Sequence, residues 1–249
     1  MNVTIAWLYP ELMNTYGDLG NIMVLNKRCL WRNINCQVRY LNQEEWQRWE
    51  EVDLVFMGGA QDRQQELVAK DLFAKKSKKA FKIKSKIKKG IPGLFICGAF
   101  QFMGKFYQTA DDKKIPGIKI FDIYTKNRQV KEKRLVGNIV IQCKLGGLET
   151  SLVGFENHGG RTYLGGLAKP FAAVLKGFGN NGLDKTEGCI YKNAIGTYLH
   201  GPILPKNPKL ADWLIGKALQ IKYGKVVKLA RLDDTIENEA KSAILRKMS

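Results

Sequence analysis

The rhythm of apolar positions changes once along the chain, near Gly104. Before that point, short β-favouring runs alternate with stretches of helical spacing. Val3-Thr-Ile-Ala-Trp-Leu-Tyr9 predicts a first strand, and a turn follows at Pro10. Ile22, Leu25 and Cys29 fall on one face and predict a helix over about 21–33. Residues 36–41 and 52–57 read as second and third strands, the latter ending in Gly58-Gly59 before a polar helix start at Gln61-Asp62. A fourth uncharged run, Gly93-Leu-Phe-Ile, leads into Cys97. Strands alternating with helices predict a parallel sheet covered on both faces, which binds ligands at the strands' C-terminal ends. Gly58-Gly59 and Cys97 share that edge.

Beyond Gly104 the apolar runs shorten, at 120–124, 138–142, 152–156, 171–175, 188–191 and 194–199. Glycine-rich turns divide them, among them Gly159-Gly160, Gly165-Gly166 and residues 177–182, and predict hairpins that continue the same sheet system. Helices are expected over 208–223 and, more charged, 233–247. With no linker and no repeat, residues 1–249 are expected to form a single domain of the α/β class.

Composition narrows the setting. The five cysteines lie far apart, odd in number and without a CxxC pair, so neither a disulfide framework nor a metal cluster is expected. No apolar stretch approaches membrane-spanning length and no signal peptide is evident, so a cytoplasmic chain is expected. The net charge is +18, and residues 70–89 hold ten lysines against one acid, Asp71. Such a run attracts nucleic acid or anionic lipid. Phe73, Ala80, Ile83 and Ile87 recur within it at near-helical spacing, which favours a solvated helix face; the alternation over 82–89 leaves a strand open. No helix-turn-helix, zinc finger or paired stacking aromatics accompany the lysines, so no nucleic-acid partner is expected.

The chemistry is placed at Cys97-Gly98-Ala99. A strand, a sharp turn and a helix start lift a nucleophile out of the sheet and aim the helix's free amides at it, so the thiol is expected to ionise more easily. The alternative is a small thiol ending a core strand. A cysteine nucleophile needs an imidazole in reach, and the chain has only His158 and His200. His200 follows an apolar run directly, at a strand end like Cys97, and is favoured; either histidine could instead be satisfied within a turn.

The Gly58-Gly59 turn, Ile96-Cys97-Gly98-Ala99-Phe100-Gln101, Gly154-Phe-Glu-Asn-His-Gly-Gly-Arg-Thr162 and Gly196-Thr-Tyr-Leu-His-Gly201 together resemble the class I glutamine amidotransferases of the cobyric acid synthase branch. Tyr16-Gly-Asp-Leu-Gly-Asn21 and Arg134-Leu-Val-Gly137 extend the likeness over nearly the whole chain. Within the branch it is most similar to the glutaminase subunits of bacterial lipid II isoglutaminyl synthases. The resemblance implies a flavodoxin-like class I glutamine amidotransferase fold, a mostly parallel sheet flanked by helices with added β-hairpins.

It also implies that Cys97 attacks the side-chain amide of glutamine and that His200 is general base and acid. Amides near Gly58, Gly59 and Gly98 would hold the oxyanion, Arg134 a substrate carboxylate, and Gln101 would help bind substrate; no metal is implied. Residues Phe155 to His158 would shape the site.

Two departures stand out. His200-Gly-Pro202 lacks the usual following glutamate, leaving Asp18 and Glu156 as unranked candidates for a third member. Ala99 replaces a glycine and would be poor at positive φ. No Gly-x-x-x-x-Gly-Lys-Ser/Thr loop is present, so a separate ATP-using partner is implied. By resemblance that partner is the Mur ligase-like subunit MurT, carrying ATP and Mg and amidating the D-glutamate of lipid II in peptidoglycan synthesis. The lysine run would then draw the protein to the inner membrane surface and be dispensable for chemistry. The alternatives are the glutaminase of another amidating ligase, a cysteine hydrolase of another kind, or a basic scaffold in which Cys97 is inert.

Overall fold

The computed structural model describes residues 1–44, 46–128 and 133–248. Strand β1 (Asn2–Leu8) is buried from Val3 onward, as expected of a strand with helices on its faces. Helix α1 (Leu19–Leu30) turns its Ile22, Leu25 and Cys29 inward and leads to β2 (Asn35–Leu41), whose burial is only partial. Strand β3 (Leu54–Met57) is wholly buried and is followed by α2 (Asp62–Leu72) and α3 (Lys79–Lys88). Then come the buried β4 (Gly93–Ile96) and the short α4 (Gly98–Phe102).

The β-rich part contributes β5 (Phe106–Gln108), β6 (Lys114–Pro116), β7 (Ile123–Asn127), β8 (Leu135–Leu145), β9 (Leu148–His158) and β10 (Gly160–Leu164). It ends with β11 (Ala172–Lys176), β12 (Thr186–Glu187), β13 (Cys189–Tyr191) and β14 (Ala194–Thr197). Helices α5 (Pro208–Tyr223) and α6 (Thr235–Met248) close the chain, α5 with the predicted bounds.

The first sheet has the order β13-β14-β4-β3-β1-β2. All its pairs are parallel except β13–β14. This order brings the C-terminal ends of β1, β3, β4 and β14 to one edge.

The remaining strands correct an expectation. They do not continue the first sheet but form two further four-stranded sheets, β10-β7-β5-β6 and β12-β11-β8-β9. The β8–β9 hairpin turns at Gly146-Gly147, both at positive φ, and its register runs unbroken from Leu135↔His158 to Leu145↔Leu148. A hairpin saturates its backbone with its nearest neighbour in sequence, so these strands have little need of the distant parallel sheet. Among the described residues, 189–197 return to it, with an isolated bridge from Lys169 to Ile190. The strand expected at 120–124 is displaced to β7.

In the lysine run, α2 ends at Leu72 and α3 begins at Lys79, so there are two helix segments and no strand. Ile83 and Ile87 are fully buried while Phe73 and Ala80 are half-buried, which is the stripe the spacing predicted.

Buried Arg28 ties the helices together. Its guanidinium donates to Asp212 of α5 at 2.7 and 2.8 Å and to Asp234 at 2.7 Å, and Arg32 adds a 2.7 Å bond to Asp212. With two carboxylates on one buried guanidinium, the cluster holds α1 against α5 and the segment that leads into α6.

Candidate active site

Cys97 stands between β4 and α4 with φ 50 and ψ −101, a conformation that costs a non-glycine residue on the order of 1–3 kcal/mol. Both flanks enforce it. Its N–H donates to the Thr197 carbonyl of β14 at 2.8 Å, and its carbonyl accepts the Gln101 N–H at 3.0 Å as the first bond of α4. The positive φ falls on Cys97 itself and Ala99 lies inside the helix, so alanine there is no obstacle to the elbow. Gly98 is needed for space: a Cβ there would lie 3.0 Å from the Ala60 backbone nitrogen and 3.0 Å from the Gln65 side-chain nitrogen.

The thiol is not activated at rest, which corrects the expectation of easier ionisation. Burial pushes it up to about 12, the negative charge of Asp18 adds to this, and Arg134 with the Gly98 N–H only partly oppose. A five-residue helix carries too little dipole to outweigh desolvation. Cys97 therefore needs a base to take its proton.

His200 lies just beyond β14, its backbone clamped by Phe155 of β9 through N–H···O bonds of 2.7 and 3.2 Å. A Cβ on Gly59 would come within 2.8 Å of the His200 ring and 3.4 Å of the Cys97 Cβ, so the bare Gly59 backbone lets both side chains approach the same point. Neither ring nitrogen of His200 has a hydrogen-bond partner among the described residues, and the Tyr16 ring covers it edge-on at 5.0 Å. Burial pushes the imidazole down to about 3, and His158 and Arg134 add to this, so His200 is neutral at rest.

The structure separates the two candidate carboxylates. Asp18 Oδ1 is 3.9 Å from His200 Nδ1, while its Oδ2 accepts the Gly59 N–H at 2.6 Å. Glu156 instead faces His158 Nε2 at 3.7 Å and caps the Phe178 and Gly179 N–H groups at 2.7 and 2.9 Å. Asp18 is thus the acid beside His200. Burial raises it to about 7 against the pull of the Gly59 amide.

This arrangement also corrects the role expected of Gly59. Its N–H is committed to Asp18, and Ala60, one residue on, lines the cavity beside Cys97. A Cβ on Gly58 would meet the Met13 carbonyl at 2.4 Å, so Gly58 too serves close packing.

Beside Cys97 opens a cavity of about 290 Å³, room for one amino acid. Gln101 lines it, with its side-chain amide bonded to Gln65 and Tyr198 at 3.1 and 3.2 Å. Arg134 stands at its mouth, donating to the Asn157 side chain and carbonyl at 2.9 Å each, and Asn157 in turn donates to the Tyr16 hydroxyl at 2.7 Å. His158 lines the same cavity but is occupied: Nδ1 donates to the Gly160 carbonyl at 2.7 Å and the ring stacks on Tyr198.

Sequence reasoning missed Asp62, which accepts the Tyr107 hydroxyl at 2.7 Å, and Asn127, which donates to that hydroxyl at 3.1 Å. The only signal was Asp62 as a helix start. An arginine and an aspartate in one small cavity suit a zwitterion, with an amide placed over the thiol.

Glu187 was also missed. It is buried beneath the segment that leads to His200, accepting the Tyr198 N–H at 2.9 Å and the Thr197 hydroxyl. Burial raises it from 4.5 to about 7. Its folded value exceeds its unfolded one, so its stabilising contribution is complete below about pH 4.5 and is lost as pH rises through about 7. Asp18 acts in the same sense. Thermal melts across this window are expected to show a shallower fall of Tm with rising pH in Glu187→Gln than in the wild type; equal slopes would show that Glu187 does not carry the effect.

Comparison with known proteins places the whole chain in a family. Residues 4–208 match the CobB/CobQ-like glutamine amidotransferase domain. The lipid II isoglutaminyl synthase (glutamine-hydrolyzing) subunit GatD of Staphylococcus aureus is 43% identical over 245 residues, covering 98% of this chain and 95% of its own. GatD of Streptococcus pneumoniae is 38% identical over 237 residues, covering 95% of this chain and 88% of its own. Among solved structures, a glutamine amidotransferase from Thermotoga maritima superposes with a TM-score of 0.56 over 99% of this chain and 96% of its own. At 18% identity that likeness speaks for the fold alone. On a domain match that runs through β1, the Cys97 elbow and His200, the chain belongs to the CobB/CobQ-like glutamine amidotransferases.

Proposed function

We propose that the chain is the glutamine-hydrolysing subunit of a lipid II isoglutaminyl synthase. The observation that carries the chemistry is the Cys97 elbow, which opens on an amino-acid-sized cavity with His200 and Asp18 behind it. The acceptor is inferred from the end-to-end match to the two GatD subunits.

In this reading, the α-carboxylate of glutamine meets Arg134 and its side-chain amide lies over Cys97. His200 takes the thiol proton as sulfur attacks, and the resulting imidazolium is stabilised by the Asp18 carboxylate. The Gly98 and Ala60 N–H groups face the oxyanion; preorganised donors of this kind usually contribute more to acyl transfer than any other single effect. His200 then protonates the leaving nitrogen, ammonia departs, and water hydrolyses the thioester to glutamate.

Ammonia must reach an activated carboxyl before it is protonated in bulk water, so a partner subunit docks where it leaves. The partner fitting this role is a MurT-like ligase that holds ATP and Mg and activates the D-glutamate α-carboxyl of lipid II. Cytoplasm is the compartment that supplies glutamine and ATP together; among the described residues no helix is long and apolar enough to cross a membrane.

The test is to purify the chain with its ligase partner and follow amidation of lipid II. Amidation is expected with glutamine plus ATP, and in a Cys97→Ala complex only with added ammonium at alkaline pH. Failure of the wild-type complex to release ammonia from glutamine would overturn the reading.

A further inference from the structure

We propose that the lysine-rich face at the start of α3 is a docking surface for an anionic lipid bilayer, with Phe81 as its apolar anchor. The inference does not rest on the glutaminase reading, because the surface is separate from the Cys97 cavity.

The lysines of residues 70–89 fall into two groups. Lys79 and Lys86 are spent internally: Lys79 pairs with Asp71 at 2.7 Å, and Lys86 donates to the Glu50 and Val52 carbonyls at 2.6 and 3.1 Å. Asp71, the one acid of the run, also accepts the Tyr9 hydroxyl at 2.6 Å. Lys75, Lys76 and Lys78 are exposed and have no ion pair among the described residues, the one acid of the run being held by Lys79. Farther along α3 the Lys84 ammonium is held below its ordinary value, by burial first and then by Lys88 and Lys119, which extends the positive field down the helix.

Phe81 stands in the middle of this field with 72% of its surface exposed, although α3 has an inner face that buries Ile83 and Ile87 completely. An aromatic ring left in water among unpaired lysines is the pattern of an interfacial anchor. The ring enters at headgroup depth while lysine stems lie along the surface and their ammonium groups meet lipid phosphates. Nucleic acid fits less well. The run contains no arginine, and Phe81 has no aromatic neighbour among the described residues with which to form a stacking platform.

Lys79 and Asp71 sit beside Tyr9, at the end of β1. The start of α3 therefore lies at the same sheet edge as Cys97, and docking would hold that edge near the bilayer.

The experiment floats the full-length protein with vesicles of phosphatidylcholine alone or mixed with phosphatidylglycerol. Binding is expected only to the mixed vesicles and should weaken as salt is raised. Changing Lys75, Lys76 and Lys78 to Gln should lower partitioning about fivefold for each lysine removed. Phe81→Ala should lower it several-fold at all salt concentrations, and Phe81→Trp should shift its emission to the blue only with mixed vesicles. Glutamine hydrolysis in solution should be unchanged in all of them.

The proposal is overturned if wild type ignores mixed vesicles, or if neither the lysine nor the Phe81 variants lose binding. Full displacement by inorganic phosphate at an ionic strength where chloride leaves binding intact would assign the surface to free phosphate instead. Tighter binding to single- or double-stranded nucleic acid than to mixed vesicles would assign it to a nucleic acid.

Discussion

Cys97→Ala is expected to abolish glutamine hydrolysis, by a factor of about 10⁴ or more, as when a covalent nucleophile is removed from an enzyme that acts as a unit. Cys29, Cys36, Cys143 and Cys189 are distributed over other elements and line no part of the Cys97 cavity, so each change to Ser should leave turnover largely intact. Ammonia release from glutamine measures both outcomes. An electrophilic glutamine analogue should add mass to Cys97 alone. Loss of activity in one of the four other variants, with the fold preserved, would move the nucleophile elsewhere.

The backbone supplies a second readout at the same residue. Since Cys97 holds φ 50 and ψ −101, Cys97→Gly should be more stable than Cys97→Ala by about 1 kcal/mol or more while equally inactive. A lower Tm for the glycine variant would show that the elbow stores no strain.

His200→Ala should remove turnover by about 10³-fold or more, because a thiol pushed up to about 12 cannot ionise unaided at neutral pH. Asp18→Asn is more discriminating, since Asn can still accept the Gly59 N–H but brings no charge to the imidazolium. Protonation of Asp18 near pH 7 would remove the same charge, so wild-type activity should fall as pH drops through about 7. His200, held at about 3, does not titrate in that range. Asp18→Asn should lose about 10- to 100-fold in kcat and lose the acid limb near pH 7. Glu156→Gln should retain that limb; if it vanishes there instead, the supporting acid is Glu156.

What could be read from the chain was whatever rests on local spacing. The 3.6-residue period fixed α5 at its observed bounds, and uncharged runs marked β3 and β4 and hence the edge holding Gly58-Gly59 and Cys97. The apolar run 194–199 favours His200 over His158, although the strand itself ends at Thr197. Contacts between distant segments left no such trace. Nothing near Asp18 reveals that one of its oxygens takes the Gly59 amide while the other faces His200. The thiol's neighbours in sequence suggest helix amides, whereas the dominant effect is burial, to which the charge of Asp18 adds. The extra sheets were merged with the first because strand pattern gives direction and length but not the partner.

The pairing of β4 with β14 also dictates when activity can arise during synthesis. Ile96 and Thr197 are register partners, yet about a hundred residues separate them and two whole sheets must be threaded between. A chain emerging from the ribosome carries Cys97 long before it has either His200 or the Thr197 carbonyl that holds the elbow. Closing so long a loop is slow but thermodynamically mild, each doubling of length adding only about 0.6 kcal/mol. In the proposed mechanism the nascent thiol is therefore without its base until β14 docks, and an unfinished chain would hold no glutaminase able to consume glutamine wastefully.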